Sequence, residues 1–183
     1  MNQFEKSILP ILIMIQGSLA GAMNIAALPG EKVSHSSSNG KSEVCVLPEK
    51  LLESAYDEGD LADEKKLCGI DFYTTSALCP KQNSTNPGVL VSKLMENSSR
   101  EQTMALCKGP DDRLSIQAKF KNSISCSYTP SILAYYHFSK MFKTGGKIPT
   151  AVLRTMDRHV HSDITDQAMN LITDHSDLIY QTW

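Results

Sequence analysis

The sequence lacks the short motifs by which many enzymes are identified. It contains no G-x-S-x-G nucleophile elbow, no phosphate-binding P-loop and no H-E-x-x-H pair of zinc-binding histidines. It also lacks a C-x-x-C pair, which argues against a zinc ribbon and against a thioredoxin-like redox centre. Hydrolase and metalloprotease functions therefore have no residues to support them.

An excess of positive charge is also missing. The net charge is −2, and no run of lysine or arginine occurs anywhere in the chain. Nucleic acids and anionic membranes attract proteins through such positive charge. We therefore predict no nucleic-acid partner.

No apolar run reaches the roughly 20 residues that a membrane-spanning helix needs. The N-terminal run, Ile8 to Ile15, is shorter, and Ala20-Gly21-Ala22 follows it with the small residues that signal peptidase accepts. This order predicts a signal peptide over residues 1–22 and export to the periplasm or the medium. After cleavage we expect no membrane span.

All five cysteines lie after the predicted cleavage site, at positions 45, 68, 79, 107 and 126. Thiols of exported proteins are usually oxidised, so we expect disulfides. Because five is odd, at least one thiol is free or pairs with another chain. The spacing leaves the pairing open.

The remaining chain is long enough for one ordinary domain. Residues 23–44 are rich in serine, glycine and asparagine, which predicts a disordered linker. Residues 45–183 mix strand-like and helix-like periods. We predict a single α+β domain, with a small antiparallel sheet and helices packed on one side.

Two interpretations are open for the acidic stretch after Pro48. Residues 48–67 are predicted to be helical, with a break at Gly59. Five acidic residues fall here, at positions 57, 58, 60, 63 and 64, but their spacing does not match a calcium-binding loop. We expect a solvated helix face on which Lys65 and Lys66 neutralise the acids.

Local signals predict a hairpin and a short helix in the middle of the chain. Residues 83–88 form a turn pattern between two strand-like segments, residues 70–81 and 88–94. Ser99 and Gln102 have the spacing of a capping box, so a helix is expected to begin at Ser99.

The best-patterned stretch runs from Leu114 to Asp157. Apolar and polar residues alternate over 114–121, so Lys119 and Lys121 share one face of a strand. That face is either solvated or a cationic surface for phosphate oxygens. A helix follows, capped by Thr129 or Ser131 with Pro130 in its first turn, and its wide apolar face predicts burial on most sides. Another strand is expected over residues 148–153.

The tail is predicted to be a helix with an apolar stripe that includes Ile164 and Ala168. Its histidines and aspartates could suit zinc, but His159 and His161 are two apart and cannot share a helix face. We expect a solvated face there and no metal site. The apolar end, with Trp183, indicates a protein partner or a missing continuation.

The stretch from Ala118 to Arg154 resembles the N-terminal lobe of atypical kinases of the secretory-pathway and HipA-type superfamily. The matching residues are Ala118, Phe120, Lys121, Ala134, Tyr136, His137, Phe138, Lys140, Ile148, Pro149, Val152 and Arg154. The segment from Cys79 to Pro87 is also similar to one found in exported, cysteine-rich bacterial proteins of no assigned function.

The resemblance implies that Lys121, with Lys119 as second choice, contacts the phosphates of ATP bound with Mg²⁺. It also implies a helix glutamate as the partner of this lysine, but the corresponding position holds Ile132. A catalytic second lobe does not fit after Asp157, so we expect an exported kinase-like module that is catalytically incomplete and whose C-terminal lobe is missing. The alternative is a disulfide-stapled exported binding or structural protein.

Overall fold

A computed structural model describes residues 24–81, 87–107, 113–122, 128–144 and 148–171. The predicted signal peptide and Cys126 lie outside the described residues, as does the apolar end of the chain. The described strands are β1 (Gly30–Ser36), β2 (Ser42–Pro48), β3 (Ser76–Pro80), β4 (Gly88–Lys93), β5 (Ile116–Lys121) and β6 (Leu153–Arg154). The α-helices are α1 (Glu58–Gly69), α2 (Arg100–Met104), α3 (Pro130–Met141) and α4 (Arg158–Leu171), and short 3₁₀ helices cover Ile25–Ala27 and Glu53–Ala55.

The strands form two antiparallel three-stranded sheets, so the predicted α+β class is confirmed. The first sheet has the order β1-β2-β6 and the second has the order β3-β4-β5. The expected hairpin is the β3–β4 pair of the second sheet. The strand expected over residues 148–153 is shorter than predicted, because only Leu153 and Arg154 pair with β2.

Strand β1 replaces part of the linker that the sequence predicts over residues 23–44. Its side chains are mostly exposed, with Val33 as the one apolar residue of the strand. Backbone pairing with β2 along seven residues holds it in place instead. Gly40 allows the connecting turn because its φ of +69° lies in the left-handed region, which favours glycine. A strand without a buried face leaves no hydrophobic period in the sequence.

The main core lies on one face of the second sheet. Leu78 of β3 and Val89 and Val91 of β4 are buried there, and Ala118 and Phe120 of β5 pack against them. Helix α4 covers this core with a buried stripe at Val160, Ile164 and Ala168, spaced four residues apart as the sequence predicts.

Two disulfides fix helices to strands. Cys45 of β2 pairs with Cys68 of α1, and Cys79 of β3 pairs with Cys107 just after α2. Each closes a loop of 23 or 28 residues, which in the chain-entropy model stabilises the fold by about 3–4 kcal/mol. The capping box of Ser99 and Gln102 at the start of α2 is confirmed. In the part of the chain described here, none of the helices has the length and apolar character needed to cross a membrane.

A buried charge pair lies within the first sheet, between Glu43 of β2 and Arg154 of β6. The Arg154 guanidinium lies 3.7 Å from the Glu43 carboxylate, and both side chains are almost fully buried. Arg154 also donates to the carbonyl of Ile70 and stacks on Phe72, with 3.5 Å between its guanidinium carbon and the ring centroid. Ile70 and Phe72 belong to the main core, so this one side chain connects the first sheet to the core of the second.

The Glu43 carboxylate is shared by further donors. It accepts from the Tyr73 hydroxyl and, at 2.7 Å, from the backbone N–H of Asp157. Asp157 caps α4 by accepting from the N–H of His159 at 2.9 Å, and it accepts from the Ser37 hydroxyl at 2.6 Å. The charge pair therefore also sets where α4 begins.

Helix α3 differs from its prediction. We expect from its apolar residues a helix buried on most sides, yet only Tyr136 is buried. Tyr135 and Phe142 are 69% and 70% exposed. Hydrophobicity alone predicted burial, but within the described chain the helix has a packed side and an exposed side.

We expect Glu43→Ala to lower the free energy of unfolding by about 3–5 kcal/mol, because it leaves Arg154 buried without its counter-charge. Glu31→Ala is the matched control in the same sheet, since Glu31 is exposed on β1, and should change stability by less than about 0.5 kcal/mol. Urea unfolding with intact disulfides measures both. A loss below about 1 kcal/mol for Glu43→Ala would show that the buried pair contributes little to stability.

Candidate functional site

The predicted lysine face exists. Lys119 and Lys121 alternate along β5 with Ala118 and Phe120, whose side chains pack against the main core. Successive side chains of a strand point to opposite faces of the sheet. The two lysines therefore lie on the face of the second sheet that is turned away from the core.

The strand register places a third lysine, Lys81, on the same face as Lys119 and Lys121. The sequence alone did not lead us to predict this residue. Its backbone N–H donates to the carbonyl of Gly88 at 2.7 Å, and Gly88 pairs with Lys121 on its other side. Lys81 and Lys121 therefore flank Gly88 across three strands, roughly 10 Å apart at the Cα atoms. Gly88 has no side chain, so nothing from β4 separates them. We call Lys81, Lys119 and Lys121 the lysine cluster.

The three ammonium groups of the lysine cluster act on one another. The pKa of Lys119 is lowered to about 8, first by partial desolvation and then by the positive charges of Lys121 and Lys81. No ion pair between described residues includes Lys119 or Lys121. A multivalent anion placed over Gly88 would relieve this repulsion.

The other parts of the kinase-like stretch do not assemble around Lys121. Ile132, at the position of the expected partner acid, is 41% exposed. Helix α3 contacts the α1 region instead, through Tyr136, His137 and Lys140, and β6 joins the first sheet next to β2.

Comparison with protein-family models, with curated proteins and with solved structures finds no match to this chain. The chemistry of the site therefore has to be argued from its own residues.

A second charged region lies between α1 and α3. The expected solvated acidic face holds for Asp57, Glu58 and Asp63, which are exposed, but not for the other two acids. Asp60 and Glu64 are buried, and their partners are distant in sequence. Lys140 of α3 pairs with Asp60, and Lys50 pairs with Glu64 at 2.5 Å. Neither Lys65 nor Lys66 takes that role. Gly59 does not break α1 but lies in its first turn, where Asp57 and Asp60 form a capping box.

An open cleft of about 700 Å³ lies beside this region, with Asp57, Asp63, Lys140 and Lys143 among its lining residues. In the described parts of the chain, no three carboxylate, imidazole or thiolate groups come together as metal ligands. Two of the three acids at the cleft are also occupied, Asp57 by the helix cap and Asp60 by Lys140. The cleft is consequently a weaker candidate than the lysine cluster.

Tyr56, which lines the cleft, is hydrogen-bonded to His137, with 2.5 Å between the tyrosine hydroxyl and Nδ1. Burial, followed by the charge of Lys50, lowers the pKa of His137, so its imidazole is neutral at pH 7. Burial and the charges of Glu64 and Asp60 raise the pKa of Tyr56 to about 12. A hydrogen bond between a neutral tyrosine and a neutral histidine is a structural contact and does not activate the tyrosine as a nucleophile.

We expect the protein to lose stability as the pH falls below about 6.5, the pKa of histidine in the unfolded chain. Burial lowers the folded-state pKa of both His137 and His161, so below pH 6.5 the unfolded chain binds more protons than the folded one. The urea midpoint should therefore fall between pH 7.5 and pH 5.5.

The double variant His137→Asn, His161→Asn should show a smaller fall across the same pH range. His159→Asn, at an exposed position of α4, is the control and should keep the full fall. An equal fall in the double variant would assign the acid sensitivity to other groups.

Proposed function

We propose that the protein is an exported, disulfide-stapled binding module whose lysine cluster holds the phosphate groups of an anionic ligand. The observation that carries the proposal is the placement of Lys81, Lys119 and Lys121 around Gly88 on one face of the second sheet. Export rests on the predicted signal peptide and on the two disulfides, which persist in oxidising compartments.

A rigid sheet suits this task because it fixes the Cα positions of the three lysines before the ligand arrives. Ammonium groups bind phosphate as point charges and do not need the fork geometry of arginine. Lys119 and Lys121 are two residues apart on β5, and Lys81 approaches from the far strand of the same sheet. The ligand would thus meet positive charge from two sides.

A nucleotide is the narrower form of this proposal, and it comes from the resemblance to atypical kinase lobes. In that form Lys121 contacts the phosphates of ATP with Mg²⁺. We propose binding without phosphoryl transfer, because no described carboxylate orients Lys121. Comparing ATP with inorganic pyrophosphate separates recognition of the nucleoside from recognition of phosphate alone.

Titration calorimetry with pyrophosphate, ATP and ATP–Mg²⁺ tests the proposal. We expect Lys121→Ala and Lys119→Ala each to weaken binding by about 10-fold or more, since each removes a charge-assisted contact to phosphate. Lys93→Ala is the matched control, because Lys93 lies on β4 of the same sheet but on the face opposite the lysine cluster. No binding of any of these ligands, or equal binding by all variants, would refute the proposal.

Affinity for pyrophosphate should fall several-fold between pH 7.5 and pH 9.5. The pKa of Lys119 is about 8 in the free protein, so this side chain loses its charge over that range. At the higher pH, Lys119 must take up a proton when the ligand binds, and this lowers the affinity. Lys119→Arg keeps its charge throughout and should bind with nearly constant affinity. The same decline in both proteins would show that Lys119 is not in the site.

A further inference from the structure

Lys119 occupies a different position within the lysine cluster from the other two members. Lys81 and Lys121 flank Gly88, whereas Lys119 pairs with Leu90 of β4. Leu90 lies between two valines that face the core, so alternation along the strand directs it to the lysine face. Lys119 is itself exposed, so a ligand on that face can reach its amine. The cluster thus combines a pair of lysines beside an open position with a third lysine beside an aliphatic side chain.

The charge state of Lys119 favours chemical reaction as well as binding. An amine attacks a carbonyl carbon in its neutral form, and neighbouring cationic groups activate a lysine by lowering its pKa. With a pKa of about 8, roughly a tenth of Lys119 is neutral at pH 7, which is roughly 200-fold more than for a lysine of ordinary pKa. No described carboxylate forms an ion pair with Lys119, so none holds the amine in its charged form.

The distance between the Lys119 amine and the phosphate-holding pair matches the length of a small molecule. Lys119 and Lys121 are two residues apart on β5, so their Cα atoms are about 7 Å apart. A ligand whose phosphate lies over Gly88 can extend along β4 to Leu90, beside Lys119. If its far end is a carbonyl group, the phosphate anchors that carbonyl within reach of the amine and raises its effective concentration there.

We propose that the lysine cluster binds phosphorylated aldehydes, with Lys81 and Lys121 holding the phosphate and Lys119 forming a reversible imine with the carbonyl carbon. This inference rests on the phosphate site of the proposed function and assigns a class of ligand to it. Lys119 is thereby the reacting group of the cluster, and the other two lysines position the ligand for it.

The imine step balances without any further reagent. The electron pair of the Lys119 Nζ attacks the carbonyl carbon, and proton transfer from nitrogen to oxygen gives a carbinolamine. The hydroxyl then leaves as water while the C=N bond forms, and hydrolysis reverses the reaction. Neither partner is oxidised or reduced. The protonated imine keeps a positive charge on the nitrogen, so the attraction between this position and the phosphate is retained.

Reductive trapping with sodium cyanoborohydride, followed by peptide mass spectrometry of the purified, disulfide-intact protein, tests the proposal. Pyridoxal phosphate is the probe, and pyridoxal is the matched aldehyde without the phosphate. We expect pyridoxal phosphate to label Lys119 about 10-fold or more faster than pyridoxal does, because the phosphate anchors the carbonyl. It should also label Lys119 faster than Lys93, an exposed lysine on the opposite face of the same sheet.

Lys121→Gln separates phosphate anchoring from the reactivity of the amine. It removes one phosphate contact, so the ratio of the two labelling rates at Lys119 should fall several-fold. The ratio cancels any change in the Lys119 amine, because both aldehydes react with the same group. Lys93→Gln is the control and should leave the ratio unchanged. The thermal midpoint of each variant establishes that it is folded, and an unchanged ratio in folded Lys121→Gln overturns the proposal.

Calorimetry with pyrophosphate distinguishes a failure of this inference from a failure of the proposed function. If pyrophosphate binds but pyridoxal phosphate labels Lys119 no faster than pyridoxal does, the imine is refuted and the phosphate site stands. If pyrophosphate does not bind and the two aldehydes label Lys119 at equal rates, both are refuted. If both are correct, saturating pyrophosphate should slow the labelling of Lys119 by pyridoxal phosphate several-fold and leave the labelling of Lys93 unchanged.

Discussion

The buried pair of Glu43 and Arg154 lies in the first sheet, and through Arg154 it connects that sheet to the main core on the second. Arg154 belongs to the short strand β6, yet its guanidinium reaches the carbonyl of Ile70 and the ring of Phe72 in the core of the other sheet. Glu43 holds the backbone of Asp157, the residue that caps α4. Removing two charges from water is costly unless each finds other partners. Glu43 Oε1 and one terminal nitrogen of Arg154 have them, whereas Glu43 Oε2 and Arg154 Nε and Nη2 make no hydrogen bond among the described residues, so the two charges compensate each other mainly by attraction. The two disulfides reinforce the same body by tying α1 to β2 and the end of α2 to β3.

The proposed ligand face follows from that core by alternation along the strands. Because Val89, Ala118 and Phe120 must face the core, Gly88, Lys119 and Lys121 must face away from it. The hairpin register then places Lys81 beside Gly88. Several side chains on one side of α3 remain exposed within the described chain.

Local patterns in the sequence predicted the local parts of the fold. The alternation of apolar and polar residues predicted the shared face of Lys119 and Lys121. The spacing of a capping box predicted the start of α2, and the helical spacing of apolar residues predicted the buried stripe of α4. The predictions that failed concerned contacts between residues that are far apart in the sequence. The acids of α1 are neutralised by Lys50 and Lys140, and β1 is held by backbone pairing with almost no buried side chains, so neither leaves a local signal. Helix α3 was predicted to be buried because apolar residues in a sequence do not reveal which of them the rest of the chain will cover. Lys81 could have been found by extending the predicted hairpin register by one residue.

Backbone amide chemical-shift mapping during a pyrophosphate titration tests the phosphate site most directly. It reports where the ligand lies without any substitution. The account predicts that the largest shifts occur at Lys81, Gly88, Lys119 and Lys121. These residues lie on or next to three strands that are neighbours only in the folded sheet. Shifts confined to the cleft between α1 and α3, or no shifts at concentrations that saturate a phosphate-binding protein, would contradict it.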